Sequence, residues 1–505
     1  MIPILSAEQI RQADAHTIAR GPIASIDLME RAAMACTNRL TELLPPEIPL
    51  CVLAGMGNNG GDGLAIARLL KKAGRTVQVV IAGWKKEGSP DFEVNRKRAE
   101  EAQVPVQVLG EGAPLPPVEP GTVVVDALFG TGLQRPVSGW VKEVVRELNA
   151  RPGRVIAIDL PSGLFADDNA TNDPEAIVRA ERTLTLELPK RALLMADHYR
   201  FAGEWEVLPI GLDRAFIAEQ PAGAMIPEGP DLAALLPRRS RVSHKGDHGH
   251  AWLLAGGPGK MGAAVMAARA CLRSGCGLLT VRVPREQAPV VHAAVPEAMV
   301  STDQEEWLAT LPKFGRVSAV GTGPGMGTHD ASARMLKHLV QEAPAPLVMD
   351  ADALNILAEN RTWLSFLPAG TILTPHPKEL ERLAGRAGSD EERLAQAREL
   401  ARKHRAVVVL KGAYTAVCSP DGRLFFNGTG NAGMAKGGSG DVLTGIITGL
   451  RAQGLDPLSA ALVGVHVHGK AGDLAAADLG MDGMLPTDLI DRLPQAWMDL
   501  RRLHG

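Results

Sequence analysis

Along the first 220 residues, short apolar runs rich in β-branched side chains alternate with stretches whose apolar positions recur at helical spacing. That is the pattern of an α/β sheet covered by helices on both faces. Strands are predicted at 50–55 (LCVLAG), 77–83 (VQVVIAG), 122–130 (TVVVDALFG), 154–161 (RVIAIDLP), 182–188 (RTLTLEL) and 205–211 (WEVLPIG). Gly63 to Gly74 and Val141 to Asn149 supply intervening helices, and two amphipathic helices precede the first strand, with Ser6 and Ser25 as their caps. Residues 215–240 change to Pro, Gly and charge, which marks a boundary and puts a seam near residue 222. Beyond it the alternation restarts through HAWLLAGG, GLLTVRVP, VSAVGTGPG, APLVMDADAL, GTILTPHP, AVVVLKGA, YTAVCSP and RLFFNG, then turns through glycines into the helical DVLTGIITGLRAQG. No tandem repeat relates the halves, so two different α/β domains are expected, over 1–222 and 223–505.

A chain of 505 residues is too long for one small binding module. Its formal charge of -3 offers no overall field for nucleic acid or an anionic membrane, and its 45% apolar content argues against wholesale disorder. The 54 glycines cluster at strand ends, where open parallel sheets hold ligands. Cys36, Cys51, Cys271, Cys276 and Cys418 follow no zinc spacing and are odd in number, so reduced, packed thiols are expected. The N-terminus lacks a basic start and a long apolar run, and no segment approaches the roughly 20 apolar residues that span lipid. A cytoplasmic enzyme is the default expectation.

In the N-terminal half, strand LCVLAG enters a glycine loop, Gly55 to Gly63, ahead of a helix, an arrangement that exposes amide donors and a positive helix end to phosphate. It does not match the dinucleotide fingerprint G-x-G-x-x-G. Asp126 and Asp159 end two further strands, so parallel strands would bring both carboxylates and their glycine loops to one sheet edge. One can hold a cation and the other move a proton; sequence alone does not assign them. NNGGDG, DALFGTGL and IAIDLPSG resemble the motifs of the NAD(P)HX epimerases, the YjeF N-terminal domain family, across residues 1 to 215. The resemblance implies that Asn58, Asn59, Gly60, Gly61 and Asp62 contact the hydrated dinucleotide. It makes Gly130, Thr131, Gly132, Leu133, Gln134, Arg135 and Pro136 a second substrate loop, and Asp159 both a substrate contact and the catalytic acid/base. It assigns potassium to Asn59, Asp126 and Ser162. Lys190 either orients substrate or is a solvated cation.

The strongest local signal is GNAGMAKGGSGDVLTGIITGL, Gly430 to Leu450. Amides of GGSGD at a helix start can surround negative oxygen, while Asp441 accepts a proton from a hydroxyl. It resembles the anion hole and base of ribokinase-like phosphotransferases. With the blocks starting at His244, Gly321, Val348, Leu373 and Val408, residues 225 to 503 resemble the ADP- or ATP-dependent NAD(P)H-hydrate dehydratases. By that resemblance Ala263, Gly325, His376 and Asp441 line the substrate, with Asp441 catalytic, and Lys411, Gly412, Ala413, Tyr414, Thr415 and Gly440 bind the nucleotide. Glu379 would help organise a phosphate-bound magnesium ion through water. His466 and His468 are expected to pack rather than bind zinc. Lys436, where many relatives have threonine, either approaches a phosphate or projects into solvent.

Together the resemblances imply a Rossmann-like three-layer αβα domain followed by a ribokinase-like three-layer αβα domain. The implied activity is repair of hydrated nicotinamide nucleotides. The first domain, with K⁺, would epimerise R and S NADHX and NADPHX. The second, with Mg²⁺ and ADP, would dehydrate the S form to NAD(P)H, giving AMP and phosphate; fusion of the domains favours ADP over ATP. Partners would be these small molecules, with no nucleic acid or membrane, in a homo-oligomer. The GGSGD device alone also permits a ribokinase-like small-molecule kinase fused to a nucleotide-binding domain, or a nucleotide sensor without catalysis.

Overall fold

The computed structural model describes residues 1–21 and 23–503. The chain divides into two compact units, Pro3–Gly223 and Ala224–Gly505, the latter joined by Met1–Ile2. The Met1 amino group pairs with Asp231 at 2.6 Å, which ties those first residues to the C-terminal unit. Among the described residues no helix is long and apolar enough to cross a membrane.

The N-terminal unit is built on seven parallel strands in the order Val106–Leu109, Val77–Ala82, Leu50–Ala54, Val123–Ala127, Arg154–Ile158, Arg182–Leu186, Glu204–Leu208. Side chains alternate faces along a strand, and here both faces are apolar. Val52, Val79, Val125 and Ile156 pack with Leu40, Leu64 and Leu70, whereas Cys51, Leu53, Val80 and Ala157 pack with Val144, Val145 and Leu148. Helices therefore cover both sides of the sheet, as the alternation predicts. The predicted strands extend too far at their C-terminal ends. Asp159 lies just beyond its strand because the chain turns there into the site.

The glycine loop is shorter than expected. Helix Asn58–Lys72 begins inside NNGGDG, so Gly60, Gly61 and Gly63 are helical residues and only Gly55 to Gly57 form the turn. Their smallness serves packing: a Cβ on Gly60 would stand 1.8 Å from the Gly55 carbonyl oxygen. Ser6 caps helix Ala7–Arg20 as predicted, accepting from Gln9 N–H. Ser25 does not cap the next helix; it occupies its first turn and donates to Asp91 at 2.6 Å, while Asp27 accepts the Ala24 N–H.

The C-terminal unit continues a mostly parallel sheet through Met299–Asp303, Leu278–Pro284, His250–Leu254, Ala319–Thr322, Leu347–Met349, Ile372–Leu373, Val407–Leu410, Ala416–Cys418, Leu424–Phe426 and Ala224–Ile226. Ala416–Cys418 pairs antiparallel with both of its neighbours. Ala251, Leu253 and Val281 pack against Ala264, Ala267 and Cys271 of helix Met261–Arg273. Val348, Val407 and Val409 pack against helix Ser439–Ala452 and its neighbours Pro457–Gly483 and Pro486–Arg502. The alternate residues Val320, Met349, Leu373 and Val408 are also buried, as a second covered face requires.

The stretch expected to be a boundary is partly core. Ala224–Ile226 joins the sheet, and Leu232, Ala233 and Leu236 are buried in its packing. Two apolar turns inside a Pro- and charge-rich window were masked by their surroundings. All five cysteines are free and buried.

Helices Met261–Arg273 and Ser439–Ala452 approach so closely that a Cβ on Gly445 would lie 2.1 Å from the Ala267 carbonyl oxygen. Gly445→Ala should therefore destabilise the C-terminal unit by about 2 to 3 kcal/mol, the cost of overpacking against backbone. Chemical denaturation should show a lower midpoint with an unchanged slope.

Candidate functional site

In the N-terminal unit, pairing of Asp126 with Ala157 sets the two strand ends level, so Asp126 and Asp159 meet at one sheet edge. Asp159 sits at φ +68°, a conformation costing a non-glycine residue roughly 1 to 2 kcal/mol. The surrounding bonds hold it there: its N–H reaches Leu184 O at 2.8 Å. Its carboxylate is 2.7 Å from Lys190 Nζ and accepts from Thr131 N–H at 3.0 Å. Burial pushes the Asp159 carboxyl up, but Lys190 and the backbone N–H groups of Thr131 and Leu186 outweigh it and hold the group below its ordinary value. Lys190 is 1% exposed and also donates to Leu186 O. It is not a solvated cation.

A Cβ at Gly130 would lie 2.8 Å from Asp159 Oδ2 and 3.3 Å from Asn59 Cγ, so Gly130, Asn59 and Asp159 converge. Asn59 donates to Ile158 O. Asp62 is buried beside them, and burial, then Asp159, raise its carboxyl well above the usual range. Asn58, Gly132, Gln134, Arg135 and Pro136 are exposed around this centre, and Leu133 folds back with its N–H on Gly130 O. Asp126 is fully buried. It accepts from Ser162 N–H at 2.8 Å, Ser162 Oγ at 2.6 Å and Leu128 N–H at 3.2 Å, and burial raises its carboxyl to about 6.

In the C-terminal unit, Gly438 takes φ +107° as the N-cap of helix Ser439–Ala452, so Ser439, Gly440 and Asp441 form its first turn. Asp441 has its carboxyl pushed up to about 7 by burial and by Asp350, with Lys411 opposing. Asp350 is the centre of this site. Its oxygens accept from Lys411 Nζ at 2.6 Å and Thr444 Oγ1 at 2.8 Å. Lys411 Nζ also stands 3.7 Å from Glu379. Burial alone would lower the Lys411 ammonium, yet Asp350 and Glu379 raise it. A Cβ at Gly440 would lie 3.3 Å from Lys411 Nζ.

Lys411 opens the hairpin loop 411–415, in which Thr415 Oγ1 donates to Gly412 O at 3.1 Å; Ala413 and Tyr414 complete it. His376 caps helix Pro377–Ala384 through Nδ1, which accepts from Lys378 and Glu379 N–H, so its ring proton is on Nε2. Burial and Lys411 lower its imidazole. Gly325 and Ala263 face each other, since a Cβ on the former would be 3.2 Å from the latter's own. Lys436 does neither thing expected of it: Nζ donates to Asp482 O at 2.7 Å and Met484 O at 2.6 Å, tying down the end of helix Pro457–Gly483.

Two families cover this architecture. A model described as YjeF-related protein N-terminus matches residues 25–192, and one described as NAD(P)H-hydrate dehydratase matches 251–495. The bifunctional NAD(P)H-hydrate repair enzyme Nnr of Moorella thermoacetica is 34% identical, covering 98% of this chain and 97% of its own. That of Thermofilum pendens is 36% identical over 94% and 92%, and that of Escherichia coli 34% over 96% and 92%. The chain belongs to the bifunctional NAD(P)H-hydrate repair enzymes. Among solved structures, an ADP/ATP-dependent NAD(P)H-hydrate dehydratase from Bacillus subtilis, co-crystallised with ATP/Mg²⁺, is 33% identical; the match covers 55% of this chain and 99% of that one, with a TM-score of 0.48.

Asp350, which accepts from both Lys411 and Thr444, is the side chain that sequence reasoning passed over. The signal was present: like Asp159 it follows a buried parallel strand, Leu347–Met349, and the next residue, Ala351, takes φ +49°. In the epimerase unit, removing the Lys190 charge strands a buried carboxylate. Lys190→Met should cost about 3 to 5 kcal/mol at neutral pH. The Asp159 value is depressed, so the pair's stabilisation is present above the unfolded carboxyl pKa and lost as pH falls through the folded one. Denaturant melts of wild type and variant should therefore converge on acidification.

Proposed function

We propose that the N-terminal unit equilibrates the R and S hydrates of NADH and NADPH, and that the C-terminal unit uses ADP to dehydrate the S hydrate to NAD(P)H, releasing AMP and phosphate. The observation that carries this reading is a tuned carboxylate at the strand-end edge of each unit. Asp159 is held ionised by Lys190, and Asp441 is poised at about 7. A sensor without catalysis has no use for two such groups.

In the epimerase unit, the Asp159 carboxylate takes and returns a proton at the hydrated ring, while Asn59, Asp62 and the loop from Gly130 to Pro136 hold the nucleotide. Asn59, Asp126 and Ser162 would hold potassium. The donor set fits, because Asp126 is fully buried, accepts only N–H and O–H donors and has no basic side chain paired with it among the described residues. A bound potassium ion supplies charge that keeps such a carboxylate ionised and gathers oxygen ligands around it.

In the dehydratase unit, hydroxide is a poor leaving group and phosphate a good one. Asp441 accepts the proton of the substrate hydroxyl as that oxygen takes the phosphoryl group from ADP. The amides of Gly437 to Gly440 at the helix start stabilise the transferring charge, and Lys411 lies beside Gly440 to meet phosphate. Phosphate then leaves with the carbon–oxygen electron pair, the neighbouring ring carbon gives up a proton to water, and the ring double bond is restored. His376, Ala263 and Gly325 shape the substrate side. Magnesium would be carried on the nucleotide phosphates, with Glu379 reaching it through water. The ion would neutralise phosphate charge. The setting proposed is a cytoplasmic homo-oligomer.

Separated R and S hydrates decide the reading. Purified protein should consume S hydrate only with ADP or ATP and reach R hydrate through epimerisation; inactivity on both, with metals and nucleotide supplied, would reject it. Asp441→Ala should stop dehydration and leave epimerisation intact.

The poise of Asp441 depends on Asp350. The base works ionised, so dehydration should rise with pH through about 7. Asp350→Asn removes a neighbouring negative charge and frees Lys411, so the pH–rate limb should move to lower pH. An unmoved limb in kcat would show that Asp350 does not set it.

A further inference from the structure

Helix Ala7–Arg20 precedes every motif of the epimerase unit. Its inward stripe is Ile10, Ala13 and Thr17, all buried, and Asp14 lies on that stripe, four residues after Ile10 and three before Thr17. The helix is fixed at both ends. Ala7 N–H donates to Asp167 Oδ2 at 3.1 Å, in the segment after Asp159, and Thr17 Oγ1 accepts the Asp213 N–H at 2.9 Å. Ala7 packs on the cluster of Leu160, Leu164, Ala192 and Leu193, so the helix start lies against the stretches that flank Asp159 and Lys190.

Asp14 is half-buried there, and its carboxyl has no hydrogen-bond or ion-pair partner among the described residues. The charged groups it faces are Asp159, Lys190, Glu187 and Asp62. Three of these are already engaged. Asp159 is paired with Lys190, and one Glu187 oxygen accepts the N–H groups of Ile210 and Gly211. Burial first, then Asp159, lift the Asp14 carboxyl to about 6, so near neutrality it still carries a proton part of the time. Asp159 is held in the opposite state. Two carboxyls driven apart in this way at one site take opposite proton-transfer roles.

We propose that Asp14 is the second proton-handling group of the epimerase site, the acid that acts alongside the Asp159 base. The inference rests on the epimerase reading above. The inverted carbon bears both the hydroxyl and the ring nitrogen. Asp159 removes the hydroxyl proton as the carbon–oxygen double bond forms. The carbon–nitrogen bond breaks, and its electron pair takes the Asp14 proton at nitrogen. After rotation, the nitrogen returns that proton to Asp14 and closes on the other face of the carbonyl, whose oxygen recovers the proton from Asp159. Composition is unchanged and only the stereocentre is inverted.

The test follows R hydrate in the full-length protein without ADP or ATP, so that the dehydratase is idle, with R and S separated chromatographically across pH 5 to 9, an arbitrary window of about two units either side of neutrality. Wild type should slow above pH about 6, as Asp14 loses its proton. Asp14→Asn should lower kcat about 100-fold, with KM little changed, and abolish that descending limb. Asp14→Glu should recover part of the rate and show the limb at a shifted pH. Retention of the wild-type rate by the Asn variant would overturn the role, and so would a slow variant that keeps the limb, since that marks a structural contribution only. Should the Asn protein fail to fold, a limb left unshifted in the Glu variant is the overturning result. Wild type that dehydrates S hydrate with ADP yet leaves R hydrate untouched would sink the epimerase reading itself.

Discussion

Both sites depend on placing carboxylates where water is scarce, at the ends of parallel strands, and then compensating them. An isolated carboxylate in such a position would take up a proton. The two units solve this with the same device. Asp159 is paired with Lys190 at 2.7 Å, and Asp350 with Lys411 at 2.6 Å. The parallel sheet makes the device possible, because neighbouring strands end level and their outgoing loops share one edge.

The units use that pairing differently. In the epimerase unit the ammonium meets Asp159 directly and holds its carboxyl low, while burial first, and then the Asp159 charge, raise Asp62 and Asp14. In the dehydratase unit Lys411 meets Asp350, and Asp441 beside them is left high by burial and by Asp350, at about 7. Desolvation is common to both groups, and the position of one lysine decides which of them titrates near neutrality.

Glycine has a second purpose beside these charges. Gly60, Gly440 and Gly445 lie inside helices, where glycine costs about 1 kcal/mol relative to alanine. The cost buys approach. Backbone reaches backbone at Gly60 and Gly445, and Gly440 leaves room for the Lys411 ammonium.

Local sequence determined the alternation of strands and helices, the apolar faces, the strand-end aspartates and the GGSGD turn, because each is written in a few consecutive residues. The same locality set its limits. Ser25 looked like a cap and is not, the NNGGDG glycines looked like loop and are helix, and Leu232, Ala233 and Leu236 vanished into a Pro-rich window. What only the tertiary structure decided is which charge meets which. Lys190 stands 31 positions after Asp159, and Lys411 stands 61 after Asp350. No spacing rule joins residues that far apart; sheet register and the burial of both partners do. That Lys190 is the buried partner of Asp159 rather than a solvated cation, and Lys436 a helix tie, follows from packing alone, because the state of a charge is set by what surrounds it in space.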